Sequence, residues 1–410
     1  MPPLKKKLIN FWKRFPIFFG IILFLTTFYG CATIHKRNPV PEEKVSIAKI
    51  SGIQFCRFWG DALPEDFDSR LAQLKAQIEN NNSAMLNLSH NYLAISGGGS
   101  DGAFGAGVLV GWTASGNRPT FQMVTGISTG ALIAPFAFLG SAYDAQLQEA
   151  YTAISTKDIL KKRRPLKILT GDAAVDSKPF KQLIVKYITP SMLKEIAGEY
   201  MKGRRLFIGT TNLDAKRPVI WNIGAIASSG HPDTIKLVRS VILASASIPA
   251  IFPPVYIEVE ADGHRYDEIH VDGGTASQVF MYPGKIDYAY AKRKLGMMAL
   301  KGRVFIIRNS RLQTDWEMVS PKIGSIAKES ISTLIMTQGT GDLYRIFFGT
   351  QRDGIEYNLA YIPETFKVEP EEPFDQKYMN KLFDLGYDLA IRGYPWDKSP
   401  PGFFSITDKK

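Results

Sequence analysis

Tyr92-Leu-Ala-Ile-Ser-Gly-Gly-Gly-Ser-Asp-Gly-Ala-Phe-Gly-Ala-Gly107 is an apolar run that dissolves into glycine and then resumes as Val108-Leu-Val-Gly-Trp112. Leu93 to Ile95 read as a short buried strand, the glycines as a tight loop, and the residues from about 102 onward as a helix lying close on that strand. Glycine backbone can approach an anion because no Cβ intervenes, and the N–H groups that open a helix have no partner inside it. The loop is built to hold negative charge.

Which anion it holds depends on the residues downstream of the loop. Gly97, Gly99 and Gly102 have the spacing of a dinucleotide fingerprint, but that motif also wants an acid about twenty residues on for the ribose. No Asp or Glu occurs between Asp101 and Asp144. A phosphate loop fails for want of Gly-Lys-Ser/Thr. The rival reading is an oxyanion hole, which requires a nucleophile nearby. Phe121-Gln-Met-Val-Thr-Gly-Ile-Ser-Thr-Gly-Ala131 supplies Ser128 between Gly126 and Gly130, with an apolar strand before it and the apolar helix Ala131 to Leu139 after it. A nucleophile elbow is a sharp, strained turn in which side chains at the two glycine positions would collide.

A serine needs a base. The histidines are His35, His90, His231, His264 and His270, and none lies beyond residue 270, where the α/β-hydrolase order of Ser, acid, His would require one. Asp272-Gly273-Gly274, after Ile269-His270-Val271, offers a carboxylate on a glycine turn instead. A carboxylate can deprotonate serine directly if it lies within hydrogen-bond reach and its surroundings raise its pKa from about 3.9. A second reading recruits His270 or His264 into a triad for soluble esters. His270 and Asp272 are two apart on a strand, on one face and pointing in parallel, so Asp272 is the expected base.

With these three elements in order, the chain resembles the patatin-like phospholipases, serine acyl hydrolases with a Ser-Asp dyad, over roughly residues 92 to 310. Gly97-Gly-Gly-Ser-Asp-Gly102 is similar to their oxyanion loop, Gly126-Ile-Ser-Thr-Gly130 to their elbow and Asp272-Gly-Gly274 to their acid turn. Ala244-Ser-Ala-Ser-Ile-Pro-Ala-Ile-Phe-Pro-Pro-Val255 resembles their proline-rich block between elbow and acid. The resemblance implies Ser128 as nucleophile, Asp272 as base, amides of Gly97, Gly98, Gly99 and Gly102 as oxyanion donors, a phospholipid or other acyl lipid as substrate, and no cofactor. One position departs: Asp101 stands where the family often carries Arg or Lys. It is expected to cap the following helix, since a carboxylate aimed at the oxyanion would oppose catalysis. A catalytically inactive, membrane-tethered scaffold is the alternative that this departure leaves open.

At 45% hydrophobic and 22% charged residues the 410-residue chain is globular rather than disordered. Strands followed by helices, with the nucleophile at a strand end, argue a three-layer α/β/α sandwich around a mostly parallel sheet. Residues 1–30 read as a lipoprotein-type signal peptide or membrane anchor: Lys5, Lys6, Lys7, Lys13 and Arg14 precede the uncharged apolar run Phe15 to Gly30. Gly30-Cys31-Ala32 resembles a lipoprotein cleavage site with Cys31 lipidated, although Phe28 and Tyr29 are bulky for it. An exported, membrane-anchored protein is expected. Residues 31–84 read as a linker and an amphipathic helix, Pro64 to Asn80; 85–365 as the hydrolase domain; 366–410 as a closing helix and tail.

The net charge of +11 falls to +6 without the five basic residues before Cys31. No nucleic-acid motif accompanies it, so membrane lipids, as substrate and anchor, are the expected partners. No residues show metal-ligand spacing. Cys56, among aromatics, reads as a buried apolar residue. Further helices are expected over Tyr143 to Ile154, Lys181 to Met201 and Thr234 to Ala246. The helix Ile323 to Phe348 has a wide apolar face, expected to pack on the sheet rather than to face lipid.

Overall fold

Strands in the computed structural model follow the apolar runs: β1 Arg57–Trp59, β2 His90–Ile95, β3 Met123–Gly126, β4 Lys161–Lys162, β5 Val175–Asp176, β6 Arg205–Asn212, β7 Arg217–Asn222, β8 Val255–Ala261, β9 His264–Asp272, β10 Gly302–Arg308 and β11 Ile355–Tyr361. The structure describes residues 37–87, 89–163, 172–297, 301–313, 316 and 318–403. The expected N-terminal signal or anchor, with Cys31, lies outside the described residues.

Nine strands form one sheet in the order β1-β7-β6-β3-β2-β10-β11, with β9 joining β6 and β8 joining β9. The centre, from β6 through β3, β2 and β10 to β11, is parallel. Buried parallel strands need cover on both faces, and the side chains of β2 show both. Leu93 and Ile95 enter a core shared with the helices Gly102–Ala114, Thr129–Leu139 and Gln376–Ile391. Tyr92 and Ala94 enter a second core with Leu343, Ile346 and Phe347 of the helix Ile323–Asp353. The architecture is the expected α/β/α arrangement with a mostly parallel sheet.

Three sequence expectations change. Lys181 to Met201 is two helices, Lys178–Tyr187 and Pro190–Met201, because Pro190 is tolerated only at a helix start and the Thr189 side chain caps the new one. The hairpin of β8 and β9, paired from Val255↔His270 to Ala261↔His264, occupies a stretch read only as a proline-rich block and a strand end. Finally, the helix Ile323–Asp353 packs on the sheet only through its inner half; Ile323, Ile326, Ile331, Leu334 and Ile335 are exposed.

Register explains where the chemistry collects. β3 leaves the sheet at Gly126, paired with Ile208 of β6, and two residues farther along the same edge of β6 the antiparallel β9 begins its pairing, Asp272 opposite Thr210. The ends of β3 and β9 therefore meet head to head in one lane of the sheet. The residues just past Gly126 and those that end β9 must face each other.

Candidate active site

Ser128 sits two residues past the end of β3 with φ 55° and ψ −122°, and opens the helix Thr129–Leu139. A non-glycine residue in this region is strained by about 1–3 kcal/mol and persists only where its surroundings hold it. The flanking glycines show how. A Cβ on Gly126 would stand 2.3 Å from the carbonyl oxygen of Gly130, and one on Gly130 would stand 2.3 Å from that of Ile95. The elbow closes only if both positions lack side chains. The Ser128 amide is fixed from a direction the sequence did not signal: it donates to Ser245 Oγ at 3.0 Å, and Ser245 donates to the Gly209 carbonyl at 2.6 Å.

Asp272 is buried at 5% exposure. Its Oδ1 accepts the Gly274 amide at 2.7 Å, while Oδ2 is buried with no hydrogen-bond partner. The Ser128 hydroxyl lies beside the carboxyl without completing a hydrogen bond. Burial pushes the Asp272 carboxyl up to about 7, against the downward pull of the Ser128 hydroxyl and the Gly274 amide. Gly273 is held by close approach, since a Cβ there would meet the Gly209 carbonyl oxygen at 2.5 Å.

The glycine loop closes the third side. A Cβ on Gly97 would lie 3.3 Å from Ser128 Cβ, which places the loop's first residue against the serine. The amides of the four loop glycines are not equivalent. Gly97 donates to the Gln278 carbonyl at 3.1 Å, and Gly102 donates back to Gly99 and Ser100. Those of Gly98 and Gly99 have no hydrogen-bond partner among the described residues. Gly98 is exposed, with φ 156°, and its backbone lies against Asn309, whose side chain and amide are tied to Ser96. Gly102 instead abuts Thr129, and a Cβ there would collide with Thr129 Oγ1.

Asp101 does not cap the helix as expected. Its side chain makes no cap hydrogen bond and accepts from the Tyr378 hydroxyl at 2.8 Å, on the helix Gln376–Ile391. Desolvation pushes its carboxyl up to about 6 against the pull of Tyr378. The carboxylate is thus tied away from the loop's free amides by a partner 277 positions along the chain.

His270 turns elsewhere. Its Nδ1 pairs with Thr210 Oγ1 at 2.9 Å and its Nε2 with Glu268 Oε2 at 2.9 Å, and Glu268 is gripped by Arg57. Both ring nitrogens are occupied in a fully buried network, while His264 is exposed at the far end of β9. Gln278 and Asp342 are the contributors that sequence reasoning missed. Gln278 Nε2 donates to the Gly274 carbonyl at 2.7 Å while its own carbonyl receives Gly97, so one residue ties acid turn to glycine loop. Asp342 Oδ2 in turn accepts from Ser277 Oγ at 3.0 Å and from the Gln278 amide at 2.6 Å. Ser245 lay in a block noted for its prolines; Asp342, inside a helical pattern, gave no signal. A cavity of about 410 Å³ reaches Ile127 and Gly273, the chain neighbours of Ser128 and Asp272, and is lined further by Ser277, Asp342 and Ile346.

A strained serine at a strand end, a buried carboxyl beside it and free amides on a glycine loop together make one candidate site for acyl transfer. The family model for patatin-like phospholipase matches residues 93–282, from β2 to just past the acid turn. Residues 93–282 thus carry a patatin-like phospholipase domain. Among solved structures it is similar to VipD from Legionella pneumophila, at 12% identity and a TM-score of 0.36, over 74% of this chain and 66% of that one. It is also similar to human GIVD cytosolic phospholipase A2, at 10% identity and a TM-score of 0.29, over 78% of this chain and 55% of that one. No curated protein matches the sequence.

Proposed function

We propose that Ser128 and Asp272 are a catalytic dyad that cleaves carboxylic esters of phospholipids or other acyl lipids. The observation that carries this reading is the buried, unpartnered Asp272 Oδ2 next to the strained Ser128. Asp272 takes the hydroxyl proton as Ser128 Oγ attacks the ester carbonyl, and the amides of Gly98 and Gly99 receive the oxyanion. Collapse of the tetrahedral species breaks the ester C–O bond, and the departing alcohol recovers the proton from Asp272. Water then gives a proton to the same carboxylate and attacks the acyl-enzyme, and the fatty acid leaves as Ser128 is reprotonated. A carboxylate with a pKa near the working pH suits both half-reactions. The 410 Å³ cavity that reaches Ile127 and Gly273 offers room for part of an acyl chain.

A membrane is the proposed site of action. The basic and apolar N-terminal sequence and Cys31 support an exported, lipid-anchored chain. Among the described residues no helix is long and apolar enough to cross a membrane.

The test is fatty-acid release from phospholipid vesicles, and hydrolysis of a short-chain activated ester, by the full chain with Ser128→Ala, Asp272→Asn and His270→Ala beside it. Loss in the first two with unchanged circular dichroism supports the dyad. A folded His270→Ala that is as inactive as Asp272→Asn would replace it with a triad, and an inactive parent would leave a scaffold.

A further inference from the structure

The helix Ile323–Asp353 is two things joined end to end. Leu343, Ile346 and Phe347 are buried against β10 and β11, and Thr350 is buried with them. The outer half has no such cover: Ile323 is 91% and Leu334 69% exposed, and Ile326, Ile331 and Ile335 are exposed with them. Trp316, at 89%, Met318 and Val319 lead into it. Half of the sixteen exposed large hydrophobics among the described residues fall between 316 and 335, so this surface is a patch rather than ordinary scatter.

Its pattern is amphipathic. At 100° per residue Ile323, Ile326, Ile331, Leu334 and Ile335 share one face, while Ser325, Glu329 and Ser332 lie opposite. Seven residues beyond Ile335, about 10 Å along the axis, the same helix delivers Asp342 to Ser277 and Gln278. Gln278 bonds both the acid turn and the glycine loop. The exposed arm and the carboxylate that holds Ser277 and Gln278 thus belong to one helix.

We propose that Trp316, Met318 and Val319 together with the apolar helix face from Ile323 to Ile335 form a docking surface for a phospholipid bilayer, which they bring to the dyad's mouth; this rests on the reading that the dyad hydrolyses lipids. An apolar helix face with polar residues behind it suits burial at the boundary of headgroups and acyl chains, and a tryptophan at one end suits the interface itself. Exposed Lys322 immediately precedes the helix, while Arg345, its side chain 68% exposed, is paired with Asp342 at 2.9 Å. Lys322 complements anionic headgroups, as does a net charge that stays at +6 without the five basic residues before Cys31, whereas a second copy of the chain would bring the same charges.

The test uses the full chain, its Ile331→Asp/Leu334→Asp variant and Trp316→Phe, with vesicles of mixed phosphatidylcholine and phosphatidylglycerol carrying bromine on the acyl chains. In the parent, bromine quenches the emission that Trp316→Phe removes, and in the double variant that quenching disappears. Vesicle hydrolysis falls about tenfold or more in the double variant, about 1.4 kcal/mol or more. Hydrolysis of the short-chain soluble ester stays within about twofold of the parent, less than 0.5 kcal/mol. Equal losses on both substrates would overturn the proposal by making the arm a structural part of the site. So would absence of Trp316 quenching in vesicle-bound parent, or an oligomer that the double variant dissolves while vesicle hydrolysis is kept. A parent that hydrolyses neither substrate refutes the dyad, while the quenching still decides the arm.

Discussion

Glu268 and Asp272 stand four residues apart on β9, both buried, and their surroundings drive them in opposite directions. Burial would raise Glu268, but the Arg57 guanidinium and His270 overcome it and hold the carboxyl down at about 2. Asp272 has no cation beside it among the described residues, and burial lifts it to about 7. One carboxylate has both oxygens engaged; the other keeps an oxygen without a partner. A buried charge that is paired is part of the scaffold, and one left unpaired next to a strained serine is available for proton transfer. In the proposed mechanism, two carboxyls on one strand are thereby separated into a structural and a reactive role by their neighbours.

Substitutions can break this contrast. The largest effect falls on Asp272→Asn, which removes the base: hydrolysis drops by about 10²–10⁴-fold, measured as kcat/KM on the soluble ester, with the fold intact. Arg57→Met comes next. It strands Glu268 in the interior and lowers stability by roughly 3–5 kcal/mol, read from urea denaturation, while protein that remains folded keeps its catalytic rate. If Arg57→Met left stability untouched, Glu268 would lose its structural role.

Titration sharpens the same contrast. The raised carboxyl of Asp272 is deprotonated in the unfolded chain from about pH 4, yet stays protonated in the folded one until about 7. The native state binds the extra proton between these values, so stability contributed by this group falls as pH rises through that window, by about 1.4 kcal/mol per unit at most. Catalysis needs the charged form, so kcat/KM rises through about pH 7 as that stability is lost. Asp272→Asn is expected to flatten the pH dependence of the melting temperature in this range. A smaller effect is expected of Asp342→Asn: it weakens the hold on Ser277 and Gln278, and a loss of about 1–2 kcal/mol appears in kcat with little change in KM. Smallest is Ser128→Gly, inactive but about 1 kcal/mol more stable because glycine relieves the strained backbone.

The order of glycine loop, elbow and acid turn was legible because each is local. Gly126 and Gly130 announce a turn that tolerates no side chains, and the collision distances in the structure bear out that reason. Most strands were legible too, since buried parallel strands are continuous apolar runs. The β8–β9 hairpin was not, because Glu258, Glu260, Asp267 and Glu268 interrupt its apolar pattern. The long helix misled in another way: periodicity reports an apolar face, and says nothing of whether anything covers it.

Residue types and short spacings alone determined the α/β class, the candidate serine and acid, and the loop that faces them. Tertiary structure alone decided the roles around them. It gave the Ser128 amide to Ser245, the Asp101 carboxylate to Tyr378, the ring nitrogens of His270 to Thr210 and Glu268, and the tie between loop and acid turn to Gln278 and Asp342. Most of these join positions whose separation no periodicity encodes. A hydrogen bond and a desolvation depend on which groups share a few ångströms of space, and only the packed sheet and its helices set that.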